Sequence, residues 1–309
     1  MKRALVAVVG ACGSNERAPE PTPTPMVAPA DAPTGCPYYL DLAFLKPLTE
    51  EAILIAPQAK VGSKAPQYAA EQRLTADGTL ALWPASSPRQ ERDHRLFLSD
   101  DGGKMCTPDD TSCDGFDLAP DLVAFKGYAS AAHDPKGRSF ILTFHSYDRT
   151  PNLLIVSFDG KGKRLASWSS PQDCTEQAGV VLGRVAVMPC RGEDDKVGVY
   201  SSLVVHELAT GKVRSRLRGS FRDSASLVVD DARFATWLPD DHSLALYHLA
   251  DPDHPKVVWQ TRLDLEAPAL ATAAGGIVAI AAENPWKGII LDAGTGKPKH
   301  TFHVDPCRP

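Results

Sequence analysis

Short apolar runs broken by Gly, Asp and Pro recur along most of this chain, for instance at 139–144, 152–156 and 277–280. They are rich in β-branched and aromatic residues, which pack well on a pleated surface and predict strands. No long stretch repeats its apolar positions every three to four residues, so an all-β fold is predicted. Four segments align on one another: 157–168, 206–217, 249–259 and 291–302. Each holds a strand end, a polar Gly or Pro turn, a lysine and a second strand closing on a large apolar residue. The lysines are Lys163, Lys212, Lys256 and Lys297, spaced by 49, 44 and 41 residues. A period near forty with several strands per unit predicts the blades of a β-propeller. Runs 226–230, 232–237 and 244–247 complete one four-stranded blade with the Lys256 hairpin. Upstream, 74–83 and 95–104 read as further hairpins, giving about six blades, with five or seven also open. An irregular stack of hairpins in a sandwich is the competing architecture.

The first 35 residues follow another pattern. Lys2 and Arg3 precede a short apolar run, with small residues before Cys12. This is the layout of a secretory signal. The run is too short to span a bilayer, which needs roughly 20 helical residues. From Gly13 to Gly35 the chain carries Pro19, Pro21, Pro23, Pro25, Pro29 and Pro33 and almost nothing apolar to bury. Such a segment acts as a semi-rigid spacer of about 3.1 Å per residue where the proline conformation holds. The expected organisation is a signal peptide over 1–11, a modified cysteine and linker over 12–35, and one β domain over 36–309.

Seven cysteines are odd in number until Cys12 is set aside. The other six in an oxidising compartment point to three disulfides. Fifteen connectivities exist for six cysteines; position favours Cys106 with Cys113 around a short polar loop, Cys174 with Cys190 across a hairpin, and Cys36 with Cys307 at the domain ends. None has the spacing of a zinc or thiol-redox site.

Three resemblances add to this. Val9-Gly10-Ala11-Cys12 resembles the lipobox of bacterial lipoproteins, which implies that Cys12 is lipidated and becomes the mature N-terminus; Gly13 in place of Asp then implies the outer membrane. Cleavage after Ala11 by an ordinary signal peptidase is the alternative. The stretch 290–297 resembles the Ala-Leu-Asp-Ala-x-Thr-Gly-Lys hairpin of PQQ-like propeller repeats, found in dehydrogenases and in non-enzymatic outer-membrane assembly lipoproteins. His133-Asp-Pro-Lys-Gly-Arg138 resembles a turn of related WD40-like bacterial propellers. The repeat's tryptophan, three residues past the lysine, survives only as Trp259; His300 and Ser215 stand elsewhere.

Candidate chemistry is sparse. A net charge of −5 disfavours nucleic acid as a partner. Lys212, Arg214, Arg216, Arg218 and Arg222 alternate along an expected strand and read as a solvated stripe, or else as an anion- or partner-binding one. Asp109, Asp110, Asp114 and Asp117 have carboxylates suited to calcium, but their spacing fits solvated turns better, so no metal is assigned. His242, His248, His300 and His303 are the histidines a lyase could use. No catalytic residue and no cofactor is assigned. The expected protein is a lipid-anchored, disulfide-stabilised outer-membrane module that binds a protein or glycan partner without catalysis. The alternative is an extracytoplasmic glycosidase-like hydrolase or lyase acting in the central funnel.

Overall fold

The computed structural model describes residues 38–39, 45–49, 52–55, 58–59, 72–75, 77–82, 93–123, 130–145, 153–169, 173–174, 179–194, 198–219, 221, 225–273, 276–281 and 286–304. The fold is all-β, built of antiparallel sheets whose strands pair in chain order. Sheet I is Leu45–Thr49, Ala52–Ile55, Gln72–Thr75 and Leu80–Leu82. Sheet II has three strands, Arg95–Ser99, Gly102–Cys106 and Cys113–Asp117. Sheet III is Ser130–His133, Ser139–His145, Leu153–Asp159 and Arg164–Ser169. In sheet IV, Val180–Leu182 and Asp173–Cys174 both pair with Val185–Asp194, followed by Gly198–Glu207 and Val213–Gly219. Sheet V is Ser226–Val228, Arg233–Leu238, Ser243–His248 and Lys256–Arg262; sheet VI is Ala269–Ala273, Gly276–Ala281, Trp286–Asp292 and Pro298–Val304. Tyr38–Tyr39 and Gln58–Ala59 form a small extra ladder, and Pro120–Val123 is a single helical turn.

The continuous apolar runs have a simple cause. Alternate side chains of a strand point to opposite faces, and the middle strands here are covered on both. In sheet IV, Val185 and Val187 join the cluster with Phe234, Ala245 and Tyr247 of sheet V. Their neighbours Ala186, Met188 and Cys190 join Ile141, Leu153 and Ile155 of sheet III. Sheet VI divides the same way: Ile277 and Ala279 pack with sheet V, Val278 and Ile280 with Ile55 and Leu74 of sheet I. A further cluster joins Leu98 and Met105 of sheet II to Phe140 and Phe158 of sheet III. The sheets thus touch in the order II, III, IV, V, VI, I. First strands of neighbouring sheets lie against each other from III through VI, and that of VI lies against that of I. The arrangement is propeller-like.

The four aligned segments are the last hairpins of sheets III to VI. Each carries a register shift at the same place, on the third strand just ahead of the turn: 157/158, 205/206, 246/247 and 290/291. In three of them the turn holds a left-handed glycine, Gly162, Gly211 or Gly296. A Cβ there would meet an aromatic ring from the outer strand of the preceding sheet: Phe116 at 2.3 Å, Trp168 at 2.6 Å and Trp259 at 2.5 Å. Sheet VI repeats this on sheet I, where His300 covers Gly78 at 3.0 Å. His300 therefore fills the structural place of the missing tryptophan.

Candidate binding face and inner cavity

In a four-stranded antiparallel sheet the first and third hairpins emerge at the same end. Sheets III, IV and V present 134–138, 183–184 and 229–232 there, beside the bulged hairpins. Three of these turns are joined by charge. Asp134, buried at 1% side-chain exposure, receives Arg138 Nε at 2.7 Å and Nη2 at 2.8 Å. It also accepts the backbone N–H of Gly183 at 3.1 Å. Arg138 Nη2 continues to Asp231 at 2.8 Å, and Lys136 Nζ meets the same carboxylate at 2.7 Å. Ser139 adds a bond to the Gly183 carbonyl. Burial pushes the Asp134 carboxyl up, but Arg138 and the Gly183 N–H together hold it below the ordinary carboxylate range. Asp134 raises the Arg138 guanidinium further above its already high value. Two cations and two anions are consumed in holding three hairpins together.

Besides a cavity of about 380 Å³ lined by Arg138, Gly183, Arg184 and Asp231 themselves, two more open beside this cluster. One, of about 400 Å³, lies between sheets II and III against Thr107, Ser112, Asp114, Gly137, Arg138 and Lys161. The other, of about 280 Å³, lies among the first strands and is lined by Asp93, His133, Pro135, Val180, Leu227 and Thr272 among others. His133 is oriented by its partner: the carbonyl of His94 can only accept, so Nε2 carries the hydrogen, at 2.7 Å. Burial pushes the imidazole pKa down, against the His94 carbonyl and the charges of Asp93 and Asp134, so the ring is neutral at pH 7.

Most residues singled out from sequence fall elsewhere, Asp114 of the cavity between sheets II and III excepted. Asp109 closes its own turn, accepting Thr107 Oγ1 at 2.7 Å and Thr111 Oγ1 at 2.8 Å. The Thr107 hydroxyl, with Thr111, lowers its pKa. Asp110 pairs with Arg95, while Asp114 and Asp117 are exposed on the neighbouring strand. Cys106, Asp110 and Cys113 approach one another closely enough for a metal, yet the two sulfurs are bonded to each other, with Cα atoms 4.1 Å apart. That crosslink closes the last hairpin of sheet II. Cys190 is disulfide-bonded, and its ladder partner is Cys174. Cys12, Cys36 and Cys307 lie outside the described residues, as does Arg222.

Arg214 is not merely solvated. It clamps Asp253 at 2.7 and 2.5 Å and reaches Glu207 at 3.3 Å, bridging sheets IV and V. The four histidines do not converge. His242 sits in the turn between the second and third strands of sheet V, and His248 ends that third strand on the opposite side. His300 and His303 stand on the outer strand of sheet VI. Sequence reasoning noticed the turn from His133 to Arg138 without assigning it a site role, and it missed Asp231 and Asp93. The only local signal was the acid–base pair four residues apart in that turn.

No known protein family matches this chain, and no curated protein does. Among solved structures, it is similar to a functionally unknown protein from Desulfotomaculum acetoxidans, with a TM-score of 0.42 and 9% identity, over 87% of this chain and 81% of that one.

Proposed function

We propose that the protein is a β-propeller of six blades, one per sheet, tethered outside the cytoplasm by lipid on Cys12 at the outer membrane. Its hairpin face binds a protein or glycan partner without catalysis. The observation that carries this reading is the Asp134–Arg138–Asp231 clamp. It fixes hairpins of three sheets into one rigid rim, and its charges are spent on each other rather than poised for acid–base work. A fixed scaffold carrying variable loops suits recognition. The segment 13–35 then sets the distance between membrane and rim.

Photo-crosslinking side chains placed at Arg184 and Lys161, both exposed on the rim, are expected to capture a partner in intact cells. The same group at Asp240, at the opposite end of sheet V, is expected to capture none. Equal capture at both ends would defeat the rim assignment. Cys12→Ser is expected to abolish palmitate labelling, and unchanged labelling would refute the anchor.

A second reading rests on one observation, the carboxylate of Asp93 and the neutral imidazole of His133 lining the same inner cavity. That pair would serve a hydrolase or lyase. Turnover of an envelope glycan, lost in His133→Asn with the fold intact, would favour it.

A further inference from the structure

The cavity of about 380 Å³ beside the clamp lies between sheets IV and V. Most of its wall is apolar: Leu182, Val185 and Leu249 are buried, with Ala232, Ala250 and Pro252 around them. Two arginines complete it. The Arg138 guanidinium lies against Gly183, where a Cβ would meet Nη2 at 3.6 Å and Nη1 at 3.9 Å. Its Nε and Nη2 are taken by Asp134 and Asp231, and Asp231 also accepts from Lys136. Those four charges cancel. Arg184 is the surplus cation: among the described residues it is exposed, and its side chain makes no hydrogen bond or ion pair. A long, unrestrained side chain at the mouth can turn to an anion without giving up a contact. The acids of the flanking turn are engaged, Asp253 by Arg214 and Asp251 by His254. No residue lining the cavity has a neutral hydrogen-bonding side chain, and none is aromatic. A sugar would find no side chain for most of its hydroxyls and no ring to lie on. A carboxylate on an apolar body asks only for the arginine.

We propose that this cavity receives the C-terminal residue of a protein partner, its carboxylate held by Arg184 and its apolar side chain against Leu182, Val185 and Leu249. Resting on the reading of the hairpin face as a recognition surface, this gives that surface a protein rather than a glycan as its partner. The space suits one terminal residue rather than an extended segment. Capture through Lys161, which lines a different cavity, reports on the rim alone. A whole partner also touches the rest of the rim, so an irreversible crosslinker in place of Arg184 still captures it. A short peptide has only the cavity to hold it, so rim capture and peptide binding can succeed or fail separately.

The test uses three probes: acetyl-Gly-Ala-Leu with a free carboxylate, the same peptide as its C-terminal amide, and methyl glucuronide, which carries a carboxylate on a sugar. Titration NMR on the full-length protein is expected to show the peptide acid binding at least about tenfold more tightly than the amide, a difference of roughly 1.4 kcal/mol. The glucuronide should bind no more tightly than the amide. Arg184→Gln should bring the acid down to the level of the amide and leave the amide unchanged, whereas Arg184→Lys should keep a preference for the acid. Ala250→Trp, at an exposed position on the wall, fills the cavity and should abolish binding of both peptides. Circular dichroism and thermal melting establish that each variant is folded. If Ala250→Trp does not fold, the acid-to-amide ratio and the Arg184→Gln result decide. An amide binding as tightly as the acid, no binding of the acid, or acid binding unchanged in Arg184→Gln would overturn the proposal. So would a glucuronide that matches the peptide acid.

Discussion

The seam between sheets V and VI and the seam between sheets IV and V solve one problem with opposite materials. At the first, Trp259 lies over Gly296 and donates its indole N–H to the Ala293 carbonyl at 3.0 Å. At the second, the turn of sheet V carries no glycine, and Arg214 reaches across to Asp253 while Ser215 donates to the Pro252 carbonyl at 2.6 Å. A half-buried ring such as Trp259 contributes through apolar area that salt does not touch. An exposed ion pair is screened and contributes little. The aromatic seam therefore supplies stability, and the ionic seam supplies registration of two sheets whose apolar clusters already hold them together. Seam III–IV is intermediate. Trp168 covers Gly211 and stacks on His206, but its indole N–H and the His206 Nε2 are buried without a hydrogen-bond partner.

The largest test is Gly296→Val. The side chain would enter the Trp259 ring, and the residue sits at φ 69°. The loss is expected to be about 3 kcal/mol or more in urea unfolding. Gly294→Ala, which meets only Asp292 Oδ1 at 3.3 Å, serves as the mild control; equal losses would dissolve the contrast. Next comes Trp259→Phe, which forfeits the bond to Ala293. It should cost about 1 kcal/mol more than Trp168→Phe, which relieves a buried donor of having no partner.

Acid sharpens the third seam. Burial, aided by Arg216 and opposed by the Gly211 carbonyl, lowers the His206 pKa. Above pH 6.5 the ring is neutral folded or unfolded, so it costs nothing there. As pH falls below that value the unfolded chain takes a proton the folded one refuses, and stability is lost. His133 acts in the same direction. Melting at pH 5.5 should lie about 2–4 °C below that at pH 7.5, and His206→Asn should shrink the gap. An unchanged gap would remove His206 from the account. The smallest effect is expected from Asp253→Asn: a slight fall in Tm at low salt that disappears in about 1 M NaCl. A large, salt-independent fall would show that seam IV–V depends on that pair after all.

Much of the fold was legible because its cause is local. Middle strands buried on both faces must be apolar at nearly every position, and Ile277 to Ile280 and Ser243 to Tyr247 announce themselves that way. The lysine register located four bulged hairpins for the same reason. The charge clamp across the hairpins was not legible. Arg138 finds Asp231 93 residues along the chain, and Arg214 finds Asp253 39 residues on. Neither pairing leaves a mark at either end. In the acidic stretch from Asp109, read as solvated turns, Thr107 and Thr111 satisfy the first carboxylate. Sheet II blurred where a disulfide-closed loop from Cys106 to Cys113 replaces the Gly-Lys turn.

Sheet VI packing on sheet I fixes an order of events during synthesis. Ile55 and Leu74 are fully covered only when Val278, Ile290 and Phe302 are in place. At about 5–20 residues per second, the earliest sheet waits roughly 10–45 s for its last neighbour. Throughout that interval a nascent chain carries an oily flank with nothing to lie against, and whatever shields it from other chains determines how much protein survives to fold.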